Sequence, residues 1–335
     1  MGMDPGPRGE LAAILGKARA FWEARILMTA AELDVFSLLA DEPKTAAAVS
    51  RELGSDPRGT EALLNALVAL GLLVKSENAF RTRPGFEKAL SSSAPETVLP
   101  VIQHMAQLWS RWGRLTEIVR EGGAAAPVAV LARDEKGTAA FIGAMHAIGL
   151  GLAGSVVARL DLSGHRNMID VGGGSGVYTI AALRLAPQLR ATIFDRPLVT
   201  EIARRKLEEE GMIDRVALVN GDFYADPLPG GHDLALLSAI IHQNDAEQNV
   251  ALYRKAFDAL LPGGTIAVRD FVMSEDHTAP ADGTVFAINM LVGTPGGSTY
   301  AFEEIREGLE AAGFTDAKLV HRGEMDSLVT AQRPA

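Results

Sequence analysis

There is no cysteine in the 335-residue chain, which excludes disulfides, thiolate zinc sites and a cysteine nucleophile. Positive charge is also in short supply. Lys and Arg number 32 against 42 Asp and Glu, a formal net charge of -10, which argues against bare nucleic acid or an anionic membrane as partner. The opening Met1-Gly-Met-Asp-Pro-Gly-Pro-Arg8 is polar and turn-rich, without the apolar core of a signal peptide behind it. No apolar run is read as reaching the length of a membrane span. Internal repeats and low-complexity tracts are absent beyond an alanine bias. The set Asp233, Asp245 and Asp270 lacks the spacing of a metal site, so no metal is expected. A cytoplasmic protein is the default reading. With 47% hydrophobic residues, burying a core poses no difficulty, and the length allows two domains.

The most informative stretch present is Met168-Ile-Asp-Val-Gly-Gly-Gly-Ser-Gly176, an apolar strand running into a glycine turn. Nineteen residues beyond Gly176 a second apolar run, Ala191-Thr-Ile-Phe194, ends in Asp195. Strand, glycine turn, helix and a second strand ending in an acid is how an α/β sheet binds a nucleoside. The glycines admit the ligand to the backbone and the acid accepts from ribose hydroxyls. A dinucleotide loop reads G-x-G-x-x-G and seats a pyrophosphate on the helix N-terminus. Here the spacing is Gly172-x-Gly174-x-Gly176, and Asp170 precedes it. A carboxylate there disfavours an anion and tolerates the sulfonium and amino group of S-adenosylmethionine. A nicotinamide or flavin site is the alternative, and a turn without a ligand the blandest reading.

Upstream of that motif the chain reads helical. Leu11–Leu39 has apolar residues at helical spacing, and Thr45–Leu53 and Asp56–Leu73 are two shorter helical patterns separated by Gly54-Ser55. Leu73–Arg81 suggests a hairpin. Three helices and a hairpin are the winged-helix order. The segment Asp56–Leu73 nevertheless has Arg58 as its only basic residue, and phosphate contacts supply most DNA affinity. Packing or dimerisation is therefore favoured over DNA binding. Glu96–Gly122 reads as another helix, Gly122–Pro127 as a loop and Thr138 to about Leu160 as a further helix. Strands and helices then alternate to the C-terminus, as in a parallel sheet covered on both faces.

Further along, Gly221-Asp222-Phe223 ends a third strand, where an acid suits an adenine amine and an aromatic can cover the ring. Asp233–Ser238 reads as a buried fourth strand and His242 lies just past its end, where open α/β sheets bind ligands. Leu260-Leu-Pro-Gly-Gly leads into a fifth strand ending in Asp270. His104, Met105, Trp109, Trp112, Met145, His146, Met290 and Leu291 are candidates for an apolar acceptor pocket, against a plain reading as helix packing. His165, after Gly164, reads as a surface residue.

Taken together, these motifs resemble the S-adenosylmethionine-dependent small-molecule O-methyltransferases of the plant caffeate type and the bacterial polyketide and carotenoid type. The resemblance covers nearly the whole chain. It rests on the winged-helix region, Asp170–Gly176, Phe194-Asp195-Arg-Pro, Gly221-Asp-Phe, Leu237-Ser-x-x-x-His242, Leu261-Pro-Gly-Gly and Ala311-Ala-Gly-Phe314. It implies an α/β fold: a Rossmann-like, seven-stranded class I methyltransferase domain whose last strand pair is antiparallel, preceded by a mostly helical winged-helix dimerisation domain. Residues 10–100 would form the dimerisation domain, 101–160 a helical linker and substrate-pocket region, and 161–335 the cofactor-binding domain.

The same resemblance implies a homodimer paired through its N-terminal domains, with S-adenosylmethionine as cofactor and a hydroxylated, apolar aromatic, polyketide-like or isoprenoid acceptor. Gly172 would contact the methionine moiety and Asp195 the ribose. Asp170 and Gly174 belong to the same loop, Asp222 and Phe223 would frame the adenine, and Ser238 would touch the cofactor. Trp109, Trp112, Met145, His146 and Met290 would bind the acceptor. His242 falls where the family keeps its general base, and Asp270 where an acid orients it. An imidazole held in one tautomer can take a hydroxyl proton during transfer.

Two departures stand out. Many relatives follow the histidine with Asp-Trp, whereas this chain has Gln243-Asn244-Asp245; and Thr299 occupies the position of a second acid that bonds the histidine. Both leave room for a C-methyltransferase or a repurposed member that no longer transfers methyl. A winged-helix regulator that senses S-adenosylmethionine is the rival from another class.

Overall fold

The computed structural model describes residues 6–92, 94, 97–122 and 135–335, with no side-chain detail for 6–8 and 136. The chain divides into two compact units at Trp109/Ser110. The expected loop at Gly122–Pro127 lies, apart from Gly122, outside the described residues.

The first unit runs α1 (Gly6–Glu32), α2 (Val35–Leu38), β1 (Lys44–Thr45), α3 (Ala46–Leu53), α4 (Pro57–Ala69), β2 (Leu73–Ser76), β3 (Ala79–Thr82) and α5 (Leu99–Trp112), whose last turn crosses the division. The single helix expected over Leu11–Leu39 is broken, because Asp34 takes a left-handed conformation (φ 52°) between α1 and α2. The other signals are local and held. Thr45 caps α3 by accepting from the Ala48 amide, and Asp56 caps α4 by accepting from the Gly59 amide at 2.7 Å. Gly54 ends α3 with φ 62°. β2 and β3 form the expected hairpin, with β1 added at its edge in the order β1-β3-β2. Phe36, Leu39, Leu64, Leu67, Leu73 and Phe80 fill the core of this unit. Along α1, Leu11, Ile14, Leu15, Phe21 and Trp22 stay exposed.

The second unit begins with α6 (Leu115–Glu121) and α7 (Glu135–Val157). The helical pattern read through Glu96–Gly122 is therefore two helices, α5 and α6, parted near Arg114. Next come β4 (Asn167–Val171), α8 (Val177–Leu185), β5 (Arg190–Asp195), α9 (Pro197–Glu209), β6 (Val216–Asn220) and β7 (His232–Ser238). They are followed by α10 (Ala246–Ala259), β8 (Leu260–Asp270), β9 (Val272–Met273), α11 (Ala281–Gly293), β10 (Tyr300–Ala301), α12 (Phe302–Ala311), β11 (Thr315–His321) and β12 (Ser327–Gln332). Seven strands form one sheet in the order β11-β12-β8-β7-β4-β5-β6. The strands from β8 to β6 pair in parallel, and β12 runs antiparallel to both β8 and β11. The seven-stranded sheet with an antiparallel last pair is thus as the resemblance implied.

Strand alternation splits the core of this unit between the two faces of the sheet. Ile169, Val171, Leu237 and Val268 pack toward α10 and α12, while Met168, Ile193, Leu234 and Leu236 pack toward α7 and α8. Helix α7 corrects one expectation. Its segment Gly137–Val157 is 21 residues long with a mean hydropathy of 1.7, long and apolar enough to cross a membrane by length and composition alone. In the fold this helix crosses α8 closely: a Cβ on Gly149 would come within 2.5 Å of Val177. His165, expected at the surface, is 18% exposed and faces Asp233 at 3.4 Å.

Candidate active site

The site forms at the carboxyl ends of β4, β5, β6, β7 and β8. At the end of β4 the chain turns through Gly172 (φ 67°) and Gly174 (φ 58°), a conformation that side chains resist. Space is the second constraint. A Cβ on Gly172 would lie 2.6 Å from Ile240 and 3.4 Å from the Phe223 ring, so the turns after β4, β6 and β7 meet there.

Asp195 ends β5 and faces this turn. Its carboxylate accepts from the Gly174 amide at 2.9 Å and from the Arg196 amide at 2.8 Å. Burial pushes the carboxyl upward, and the two amide donors offset part of that push. Asp222 and Phe223 follow β6. The backbone at Gly221 passes so close to the Phe194 ring that a Cβ there would collide with it. Asp222 accepts from the Tyr224 amide at 2.9 Å, and its own amide donates to Asp226.

The carboxylate of Asp170 points into the fold. It is 2% exposed, on the face of the sheet toward α8, and accepts from the Thr179 hydroxyl at 2.7 Å. Burial pushes this carboxyl up to about 6, chiefly by desolvation, with the Thr179 hydrogen bond opposing. It backs the glycine turn at Gly173. Ser238 ends β7 with its hydroxyl buried beside the Tyr178 phenol.

Past Ser238, Ala239 adopts φ 58° while its amide donates to the Arg269 carbonyl at 2.8 Å. This turn takes the chain out of the sheet and brings His242 over the end of β8. There His242 Nδ1 lies 2.9 Å from both carboxylate oxygens of Asp270. Asp270 is 1% exposed and also accepts from the Phe271 amide at 2.9 Å. Because a carboxylate only accepts, Nδ1 carries the proton, and in the neutral imidazole the lone pair is therefore on Nε2. Phe286 of α11 stands edge-on to the imidazole, ring centroids 4.9 Å apart, and packs on Phe271 at 5.1 Å.

Thr299 does not take over the role of a second acid. It is 2% exposed, with its hydroxyl 3.4 Å from the Gly283 carbonyl. His242 has one acidic partner among the described residues.

The expected acceptor-binding residues are scattered. Trp109 belongs to the first unit, where it lies against Phe21 at 6.3 Å and under Arg25 at 5.7 Å. In the second unit, Trp112 donates its indole N–H to Asn289 at 3.1 Å. Met290 is 8% exposed on α11, one turn beyond Phe286. Met145 is half-buried on α7. His146 Nδ1 sits 2.9 Å from the hydroxyl of Ser175 in the glycine turn, and burial lowers its pKa. Sequence reading missed Phe286, although it lies four residues before Met290 and so shares a helix face with it. It also missed Tyr224, Asn244, Asn249 and Tyr300, for which no local pattern exists.

Among the described residues no cluster of three His, Asp or Glu side chains is placed to hold a metal ion. The donor set does fit an adenosine carried on a cation. Two carboxylates, Asp195 and Asp222, stand at neighbouring strand ends where hydroxyl and amine donors would be welcome and a phosphate repelled. The cramped turn at Gly172 admits a ligand only along its backbone.

Comparison with known proteins agrees with this geometry. An O-methyltransferase domain family model matches residues 112–315, and an O-methyltransferase dimerisation domain model matches residues 16–92. The chain is 33% identical over 308 residues to the 3-hydroxy-5-methyl-1-naphthoate 3-O-methyltransferase of Streptomyces sahachiroi, covering 90% of this chain and 89% of that one. It is 32% identical over 327 residues, 96% of each chain, to the tetracenomycin polyketide synthesis 8-O-methyl transferase TcmO of Streptomyces glaucescens. Human N-acetylserotonin methyltransferase, solved in complex with S-adenosylmethionine, superposes with a TM-score of 0.86 at 27% identity over the whole of both chains. The chain belongs to the S-adenosylmethionine-dependent O-methyltransferases.

Proposed function

We propose that this enzyme methylates a hydroxyl of an apolar aromatic, polyketide-like or isoprenoid small molecule, with His242 as general base and Asp270 as its orienting partner. The observation that carries the reading is the contact of His242 Nδ1 with both Asp270 oxygens at 2.9 Å. That contact leaves Nε2 as the one ring nitrogen able to take a proton. The names of the two Streptomyces relatives, which act on a hydroxynaphthoate and in tetracenomycin polyketide synthesis, favour a flat, apolar acceptor.

When bound, S-adenosylmethionine supplies an electrophilic methyl group. Gly172 and Gly174 would receive its methionine part along their backbone, with Asp170 stiffening the turn from behind. Asp195 would accept from the ribose hydroxyls. Asp222 would accept from the adenine amine, with Phe223 against the ring and Ser238 beside it. Holding the acceptor oxygen in line with the methyl contributes much of the barrier reduction. Removal of the hydroxyl proton at Nε2 adds about 10²–10⁴-fold. Phe286 and Met290 line the acceptor side, with Trp112 fixed by Asn289 behind them and Met145 and His146 on α7. Residues 10–100 would pair two copies, residues 101–160, Trp109 among them, would shape the acceptor pocket, and 161–335 would hold the cofactor.

The test is transfer of labelled methyl from S-adenosylmethionine to a panel of phenols, hydroxylated polyketides and carotenoid alcohols, for the wild type and His242→Ala. Transfer to oxygen that falls by about 10²-fold or more in the variant supports the reading. Transfer to carbon, or transfer indifferent to the variant, overturns the assignment of His242. A shift of duplex DNA that depends on S-adenosylmethionine would favour the sensing regulator instead.

A further inference from the structure

The loop after β6 and the segment after β7 are separate in sequence, yet a run of polar side chains joins them. The Tyr224 hydroxyl donates to Asn244 Oδ1 at 2.5 Å. Asn244 Nδ2 donates to Asn249 Oδ1 at 3.0 Å, and Asn249 Nδ2 donates to the Ile241 carbonyl at 3.0 Å. The backbone carbonyl of Asn244 accepts from the Tyr300 hydroxyl. Asn244 is fully buried and Asn249 is 4% exposed.

The direction of every link follows from the last one. The Ile241 carbonyl can only accept, so Asn249 must turn its amide nitrogen toward it and its oxygen toward Asn244. Asn244 must then donate to Asn249, which leaves its own oxygen to accept from Tyr224. Tyr224 is fit for that duty, since burial and the charges of Asp222 and Asp245 push its phenol up to about 12 and it stays a donor at neutral pH. The far end is anchored as firmly. Lys255 Nζ donates to the carbonyls of Phe223, Tyr224 and Asp226 at 2.8, 2.9 and 2.9 Å, and the Tyr224 ring packs on Phe223 at 4.6 Å.

At one end of this run stand Asp222 and Phe223; at the other, the turn Ile241–Gln243 carries His242. Asn244 and Asn249 are buried with their side chains paired, an arrangement that resists partial disruption, and Tyr224, 40% exposed, ties that pair to the loop. We propose that Asn244 is a positioning residue for the transfer step, holding His242 in register with the 222–226 loop through Tyr224. The proposal rests on the reading of His242 as the base and of that loop as part of the cofactor site. Asn244 touches neither reactant and acts through the backbone of the turn on which His242 sits.

Tyr224→Phe in the full-length protein tests it, because the ring stays against Phe223 and only the hydroxyl is lost. Three quantities are read: affinity for S-adenosylhomocysteine by calorimetry, the imidazole signal of His242 by NMR of ¹³C-histidine-labelled protein (assigned from His242→Gln), and kcat with the best acceptor of the panel. The expected result is a displaced or broadened His242 signal and a kcat lower by about tenfold or more. S-adenosylhomocysteine affinity and acceptor KM should change by less than about threefold. Asn244→Leu, which removes the hub itself, should move the His242 signal in the same sense. An unchanged His242 signal in both folded variants overturns the proposal, even if melting temperature and ligand affinity fall, because that is what a simple loop staple would give. A wild type that transfers methyl to no acceptor would overturn the functional reading instead, and the His242 signal would still decide whether Asn244 sets its position.

Discussion

Asp270 presents both carboxylate oxygens to Nδ1 of His242 at 2.9 Å, from a position 28 residues away that is itself 1% exposed. The buried acid fixes one tautomer and one ring orientation, with Phe286 limiting the alternatives edge-on. Asp270→Asn breaks this arrangement without changing shape. An amide nitrogen facing Nδ1 would favour the opposite tautomer, with Nε2 protonated and unable to accept. The expected outcome is a kcat lower by about 10²-fold or more, with S-adenosylhomocysteine affinity by calorimetry close to wild type. Equal kcat in the two proteins would remove Asp270 from the mechanism.

The glycine turn makes a prediction about space. Gly172→Ala adds a methyl group at φ 67° and 2.6 Å from Ile240, so it costs backbone strain of about 1–2 kcal/mol and displaces Ile240 besides. Affinity for S-adenosylhomocysteine should weaken by about tenfold or more, since the same turn is asked to bend around the ligand. Gly151→Ala on α7, where a Cβ meets open space, is the control and should leave affinity unchanged.

The buried carboxyl of Asp170 ties stability to pH. Its folded-state pKa of about 6 lies above the ordinary value of 3.8. Between those values the folded state therefore binds more protons than the unfolded state, and this group's contribution is fully present below about pH 4. It is lost as pH rises through about 6. A difference of that size between the folded and unfolded chain is worth at most about 3 kcal/mol. Asp170→Asn keeps an acceptor for Thr179 and cannot ionise. Urea unfolding of both proteins at pH 4.5 and 7.5 should show the variant gaining stability relative to wild type at the higher pH. A difference independent of pH would mean that Asp170 titrates normally in the fold.

Much of the framework was legible in advance because its causes are local. Apolar runs ending in Asp195 and Asp270 marked strand ends, and Gly54-Ser55 parted the two helical patterns that begin at Thr45 and Asp56. The break at Asp34 was not legible, since nothing in the apolar periodicity changes there, whereas the one near Arg114 has its signal in Gly113. The apolar character of α7 was likewise underestimated, because glycines interrupt its apolar residues, and one of them, Gly149, packs against Val177 of α8.

The sequence by itself determined the glycine turn, the acids at the strand ends and the place of His242 after β7, because backbone conformation and strand alternation depend on near neighbours. Tertiary structure alone decided where those side chains look. It turned Asp170 to Thr179, because strand alternation directs it to the face that α8 covers. It turned His146 toward Ser175, and brought Tyr224, Asn249 and Tyr300 around Asn244 from as far as 56 residues away. The parallel order β8-β7-β4-β5-β6 sets strand ends side by side, and hydrogen bonds across those ends are specified by distances in space that no spacing along the chain records.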